Sequence, residues 1–339
     1  MTREEVLDFL KGGEVGVMEW NRMRESGLVI PSLSRVDLRG ATLRGATLRG
    51  ADLAGATLRG ATLWGADLRG AILEGTLLKG ADLRGADLAG ANLRGADLNG
   101  ATLWGADLAD VDLSNADLSN ADLRGADLRR ATLEGANLEG AKLVRANLAS
   151  TALSGADLSD ADLSGANLTG AKLIEVHLNG ATLEGAILEG VDLRSARLTR
   201  ANLSDSTLNR ADLSGANLIS ATLIGAKLIA ANLTSTNLSR ADLSQATLEG
   251  ATLEGANLKG AYLKGSDLEG AYLAGANLRD ADMSEANLAE ANLADASLQG
   301  AYLLGVIVIG AYFKGARCNK ATVLPTGFDA LAAGLLHGA

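Results

Sequence analysis

Of the side chains that most often do covalent or acid–base chemistry, this 339-residue chain offers two histidines, His177 and His337, and a single cysteine, Cys318. Nucleophilic or acid–base catalysis needs a nucleophile, a base and an orienting group brought together in a pocket, and three dispersed residues supply no such set. His177 stands beside Leu178 at a position that reads as outward and solvated. Cys318 falls where other segments carry a buried Leu, so its thiol reads as a small core hydrophobe. One cysteine excludes an intrachain disulfide and a cysteine-based metal framework. No Gly-x-Ser-x-Gly, Walker A loop, Gly-x-Gly-x-x-Gly or EF-hand spacing occurs. The sequence therefore reads as non-enzymatic, with no cofactor and no metal.

The elements that carry these residues are set by a strict period. From Leu33 to Leu303 a Leu recurs every fifth residue, replaced once by Met283, and a small residue, usually Ala, stands two positions before each. Five matches neither the 3.6 of a helix nor the 2.0 of a long strand, so the chain must turn once per unit. Within Ala-Asp/Asn/Thr-Leu-X-Gly, Ala and Leu share one side of a short extended stretch and the residue between them points outward. The last two residues turn the corner, where Gly tolerates positive φ. Stacked units would pair as parallel strands about 4.8 Å apart over a ladder of Leu and Ala. Composition agrees: 47% of residues are hydrophobic and only 3% aromatic, so a core must be aliphatic. In altered form the register is expected to continue through Val308, Phe313, Cys318, Val323 and Phe328.

The pentads Ala-Asp-Leu-Arg-Gly at 81–85, Ala-Asn-Leu-Arg-Gly at 91–95 and Ala-Asp-Leu-Ser-Gly at 211–215 resemble the A(D/N)LXX motif of the pentapeptide-repeat family. The resemblance implies an all-β solenoid, a right-handed quadrilateral β-helix with four pentads per coil. The pentads from Leu33 to Val323 would then make about 15 coils, a rod roughly 70 Å long. The only prolines, Pro31 and Pro325, bracket the run. Three segments follow: an α-helical cap at 1–30, the β-helix at 31–325, and a tail with a short helix at 326–339. In the cap, Thr2-x-x-Glu5 predicts a capping box opening a helix with Val6, Phe9 and Leu10 on one side, ended by Gly12-Gly13, and a second helix over 14–24 with Met18 and Trp20 inward. Phe328 to Leu336 is expected to be helical. Its neighbourhood is similar to tails of bacterial, often cyanobacterial, members.

With four pentads per coil, residues twenty apart stack into columns, and these are the candidate recognition sites. One column is Arg44, Trp64, Arg84, Trp104, Arg124, suited to cation–π stacking and built of residue types that anchor interfaces. A second is Asp67, Asp87, Asp107, Asp127, a row of like charges offset by Arg69, Arg129 and Arg130. Ile219, Ile224 and Ile229 fall on three successive corners of one coil as an apolar belt. At the C-terminal end, Leu304, Ile307, Ile309, Phe328, Leu331, Leu335 and Leu336 are candidate contacts for a homodimer, since gyrase-protecting relatives join end to end there.

Net charge is −10, and residues 31–130 are nearly balanced with 12 basic against 13 acidic side chains. Nucleic-acid binders cluster Lys and Arg against phosphates, so direct nucleic-acid binding is disfavoured. No signal peptide or membrane-length apolar run is seen, which reads as a soluble cytoplasmic protein. The leading functional reading is a non-catalytic scaffold that presents ladders of surface side chains to a protein partner. The alternative implied by the family is a DNA mimic that binds DNA gyrase. Duplex of the same length would carry about 40 charges, which ranks mimicry second.

Overall fold

The computed structural model describes residues 1–337, in two compact units, Met1–Ala171 and Lys172–Ala339. In both, the pentad is the building block. Its second residue forms a parallel bridge to the residue twenty positions on, as in Thr42↔Thr62 and Asp67↔Asp87 in the first unit and Asn237↔Asn257 in the second. Four pentads thus complete one coil. The first and third residues, Ala and Leu, point inward and are almost fully buried.

The backbone of each pentad accounts for the motif group by group. Thr62 N–H donates to Ala41 O of the preceding coil (2.9 Å), Leu63 N–H to Asp82 O of the next (2.6 Å), and Gly65 N–H to Arg84 O (3.0 Å). Ala66 N–H closes the turn onto Leu63 O at 3.0 Å. The fourth N–H is left over, and where the second residue is Asp or Asn its side chain accepts that bond: Arg84 N–H to Asp82 Oδ1 is 3.2 Å and Ala89 N–H to Asp87 Oδ1 is 3.1 Å. The preference for Asp or Asn is thereby structural, an Asx turn repeated along the coil. The fifth residue has positive φ whether or not it is Gly, including Asp110 (59°) and Ala230 (54°). Polar residues at the inward small position are tolerated because each hydroxyl finds a carbonyl, as Thr76 does on Leu53 O (2.9 Å) and Ser266 on Leu263 O (2.7 Å).

Two helices precede the first coil. Helix α1, Arg3–Lys11, opens with the expected capping box between Thr2 and Glu5 and buries Val6 and Leu10. Helix α2, Gly13–Glu25, buries Val17 and Trp20. Met18 is not inward; it is 60% exposed, because the stripe that meets Trp20 at helical spacing passes through Val17. Trp20 Nε1 donates to Thr47 O (3.0 Å), and Asn21 Oδ1 accepts Thr47 N–H (2.8 Å), standing in for the carbonyl that a preceding coil would supply.

The end of the second unit departs from expectation twice. Val323 is not an inward residue: it bridges Tyr302, twenty-one positions earlier, and its side chain is outward. The slip of one residue occurs at Asn319–Thr322, where Asn319 Oδ1 and the Thr322 hydroxyl take the Gly300 N–H in place of a ladder carbonyl. Phe328–Leu336 is not a helix either. Ala333 N–H to Asp329 O makes one helical turn, and Gly334, at φ 78°, stops it through bonds from Gly334 N–H to Leu331 O and Leu335 N–H to Ala330 O. The chain then runs as strand β2, Leu336–His337, parallel to strand β1, Arg317–Cys318. Leu335 is driven into the core, which a continuing helix would have prevented.

Candidate functional site

The column from Arg44 to Arg124 occupies the fourth pentad position, where the turn throws the side chain outward. Each member is followed by Gly, and bonds from Gly45, Gly65, Gly85 and Gly105 N–H to Trp64, Arg84, Trp104 and Arg124 O, at 2.9–3.0 Å, hold the five residues one above another. Their side chains are not equivalent. The Arg44 guanidinium stacks on Trp64 at 3.8 Å from the ring centre, whereas Arg84 is 6.0 Å away. Arg84 is instead forked onto Asp82 of its own pentad (Nε–Oδ1 2.8 Å, Nη2–Oδ2 2.6 Å), and Arg124 onto Asp122 with the same distances. These hydrogen bonds hold both carboxyl groups below the usual carboxylate range. Arg44 has Thr42 at the corresponding place, so nothing in its own pentad competes with the indole. Trp64, Arg84, Gly85, Trp104 and Gly105 line a shallow recess of about 260 Å³.

The acidic column lies on the next face, one corner away. Asp67, Asp87, Asp107 and Asp127 bridge one another in sequence, and each Oδ1 accepts the N–H two residues on at 3.0–3.2 Å. Arg69 pairs with both Asp67 (2.6 Å) and Asp87 (3.2 Å), and Arg129 with Asp127 (2.5 Å). Arg130 forks onto Asp110 and acts on this column only through its charge, which is among the causes that hold the Asp127 carboxyl below its usual range. The row is therefore largely occupied by its own backbone and arginines.

Ile224 and Ile229 are exposed and Ile219 half-buried. Sitting on successive corners, they face different sides. Ile219 instead borders a recess of about 690 Å³ with Arg240, Lys259 and Tyr262. Sequence reading passed over the tyrosines: all four, Tyr262, Tyr272, Tyr302 and Tyr312, occupy the outward second position and are exposed. Their pentad position was the available sign.

Among the C-terminal candidates, Leu304, Ile307, Ile309, Leu331 and Leu336 are exposed, Ile309 at 77%. Phe328 meets Phe313 edge-on at 5.3 Å, and Leu335 is buried, so these two close the chain's own last coil. Val308, on the inward ladder, is half-buried rather than buried.

Cys318 Sγ lies 3.4 Å from His337 Nδ1, a proximity that β-pairing creates and sequence spacing hides. Burial pushes the thiol's pKa up, the opposite of what an activated thiolate requires. His177 bridges Arg197 on the outer surface. Among the described residues, no helix is long and apolar enough to cross a membrane.

The family profile described as Pentapeptide repeats matches successive overlapping segments from residue 32 to residue 323. A search of curated proteins gave no match. Among solved structures the chain is similar to HetL, a pentapeptide-repeat protein involved in heterocyst differentiation regulation from the cyanobacterium Nostoc sp. strain PCC 7120. Identity is 38% over 62% of this chain and 88% of HetL, with a TM-score of 0.32. It is also similar to a pentapeptide-repeat protein of the Arabidopsis thaliana thylakoid lumen (36% identity, 25% of this chain, 66% of that one, TM-score 0.13). QnrB1, a plasmid-mediated fluoroquinolone resistance protein, matches at 20% identity over 69% of this chain and 92% of its own, with a TM-score of 0.21. The pentad period, the twenty-residue coil and the profile that follows them from end to end agree: the chain belongs to the pentapeptide-repeat family.

Proposed function

We propose that the protein is a non-catalytic binding scaffold of the cytoplasm, a right-handed coil stack of about 15 turns. Its Arg44–Trp64–Arg84–Trp104–Arg124 corner docks a protein partner. The observation that carries this reading is the exposure of Trp64 and Trp104, at 42% and 57%, on a backbone ladder that fixes them in one line. Isoleucines and tyrosines are exposed elsewhere on the surface, but two indoles in one line with guanidiniums are the residue types that most often anchor interfaces. The acidic column lends the DNA-mimic alternative no support, because all four carboxylates accept the N–H of their own turns and three of them, Asp67, Asp87 and Asp127, pair with arginines; gyrase supercoiling should be unaffected by the purified protein. The test is affinity capture with the wild type and with a Trp64→Ala/Trp104→Ala variant of unchanged circular dichroism. Partners lost from the variant support the strip, and identical captured sets reject it.

A contact between two copies through the C-terminal end is also proposed, carried by exposed Leu304, Ile307 and Ile309 beside the half-buried Val308. Because Phe328 and Leu335 close the chain's own coil, truncation would confuse the result, and Ile307→Ser/Ile309→Ser is the cleaner perturbation. Light scattering should give a dimer for the wild type and a monomer for the variant. A wild-type monomer at tens of micromolar rejects the contact.

A further inference from the structure

Charge in the second unit is sorted by corner. Between residues 197 and 280, the face formed by Arg197, Asn217, Asn237, Asn257 and Asn277, together with the corner that follows it, carries Arg197, Arg200, Arg240, Lys259 and Arg279 against one acid, Asp280. The corner two pentads earlier in each coil carries Glu189, Glu249 and Glu269 against Arg210. Backbone bonds hold the basic corner in line: Arg200 N–H donates to Ile219 O, Ser220 N–H to Ser239 O and Arg240 N–H to Lys259 O, each at 3.0 Å, and Gly260 N–H to Arg279 O at 2.8 Å. All five cations are exposed. Among the described residues none of them has an ion-pair partner; the arginines and lysine of this unit that do are Arg194, Arg210 and Lys264.

The sequence shows why these charges stay free. Arg194 is forked by Asp192, the second residue of its own pentad, at 2.8 and 2.7 Å. Lys259 and Arg279 have Asn257 and Asn277 at that place. Each Asn Oδ1 still accepts the N–H of its turn (3.3 Å), and each amide is passed to the coil before, Asn257 to Asn237 at 3.3 Å and Asn277 to Asn257 at 3.0 Å. The turn is kept without a carboxylate. Arg279 commits only Nε, to Gln299 Oε1 at 3.2 Å. Arg240 and Lys259 line the recess of about 690 Å³ with Ile219 and Tyr262. Asp280 borders it too, but its Oδ1 is turned onto Gly300 of the next coil, where a β-carbon would collide with it, whereas Arg240 lies along Gly260.

We infer that this corner seats an acidic segment of a protein, with carboxylates on Arg240, Lys259 and Arg279 and an apolar side chain of the segment between Ile219 and Tyr262. The surface shares no residue with the tryptophan column and adds a second contact to the role proposed for that column. A protein segment suits it better than a phosphate backbone. Asp242 and Asp282 flank Tyr262 on the adjoining face, so the positive strip is narrow. Duplex DNA, with one charge per ~1.7 Å, would lay phosphates over those acids. Ile219 and Tyr262 also offer an apolar border that a peptide side chain can use.

The test titrates the full-length protein with a labelled Glu-Glu-Leu-Glu-Glu peptide and with its Gln-Gln-Leu-Gln-Gln counterpart, read by fluorescence anisotropy at low salt. The glutamate peptide should bind about tenfold more tightly, as two or three exposed ion pairs warrant, and added salt should erode the difference. Arg240→Gln/Lys259→Gln, with unchanged circular dichroism, should lower affinity several-fold, and Asp280→Asn should raise it. Asn277→Asp alters no proposed contact but draws Arg279 aside as Asp192 draws Arg194, so it too should weaken binding. Equal binding of the two peptides, or full affinity in Arg240→Gln/Lys259→Gln, overturns the inference. Tighter binding of a short DNA duplex than of the glutamate peptide overturns the choice of a protein segment. Trp64→Ala/Trp104→Ala should bind the peptide as the wild type does, so this result and the capture experiment on the tryptophan column stand or fall separately.

Discussion

Ala230 and Ala231 are neighbours in sequence, and replacing each by Gly should change stability in opposite directions. Ala230 is the fifth residue of its pentad, exposed, with φ 54°. A β-carbon in the left-handed region costs about 1–2 kcal/mol. Removing it also frees the unfolded chain, which costs about 0.4–1 kcal/mol. Ala230→Gly should therefore stabilise by roughly 0.5–1 kcal/mol. Ala231 is the first residue of the next pentad, 1% exposed, with its N–H on Leu228 O. There the lost methyl forfeits about 0.8 kcal/mol of burial and the same unfolded-state freedom is added, a loss of roughly 1–2 kcal/mol. Repeat arrays can open in parts, so local free energies are the proper readout. Native-state hydrogen exchange at Leu228, Ala230 and Leu248, whose N–H groups bond to Thr247, Glu249 and Asp267 O, reports them. Slower exchange in Ala230→Gly and faster exchange in Ala231→Gly is expected. Faster exchange in both would refute the account of the corner as a strained left-handed site.

Leu168→Asp, at a fully buried position, should lose cooperative folding, while Asp87→Asn, which keeps an oxygen for the Ala89 N–H, should shift the melting temperature little; circular dichroism of both decides. Acid should weaken the fold because arginine hydrogen bonds depress the carboxyl groups of Asp67, Asp122, Asp127 and Asp192, and that of Asp37 to about 2. A depressed folded value gives stability that is present above the unfolded value of about 3.9 and lost as pH falls through the folded one, so calorimetry should show a flat plateau near neutrality and a decline below about pH 4. Cys318, buried with its thiol pKa raised, should resist Ellman's reagent at pH 8 until denaturant is added; rapid labelling of the native protein would contradict its structural role.

The pentad period alone determined which residues of the regular repeat lie inside and where the corners fall, because inside and outside alternate on a fixed local pattern and any slip would bury polar groups; the closing of four pentads into one coil came from the family resemblance and is seen in the twenty-residue bridges. The capping box at Thr2 was equally legible, being a contact between residues three apart. What only the tertiary structure decided were choices between competing partners. Asp87 and its column looked like a surface charge row until the fourth N–H of each pentad was seen to need their oxygens. Arg44 and Arg84 occupy identical repeat positions, yet one stacks on an indole and the other forks onto Asp82, because the geometry of the turn brings a second-position carboxylate within reach of a fourth-position guanidinium. Val17 rather than Met18 faces inward because helix α2 must offer Trp20 to the first coil, a rotation that helical periodicity leaves open. At the other end the repeat weakens, so its register no longer dictates structure. There Asn319 and Thr322 shift the frame, Gly334 ends a turn that composition suggested would be a helix, and His337 arrives beside Cys318 through pairing between strands nineteen residues apart.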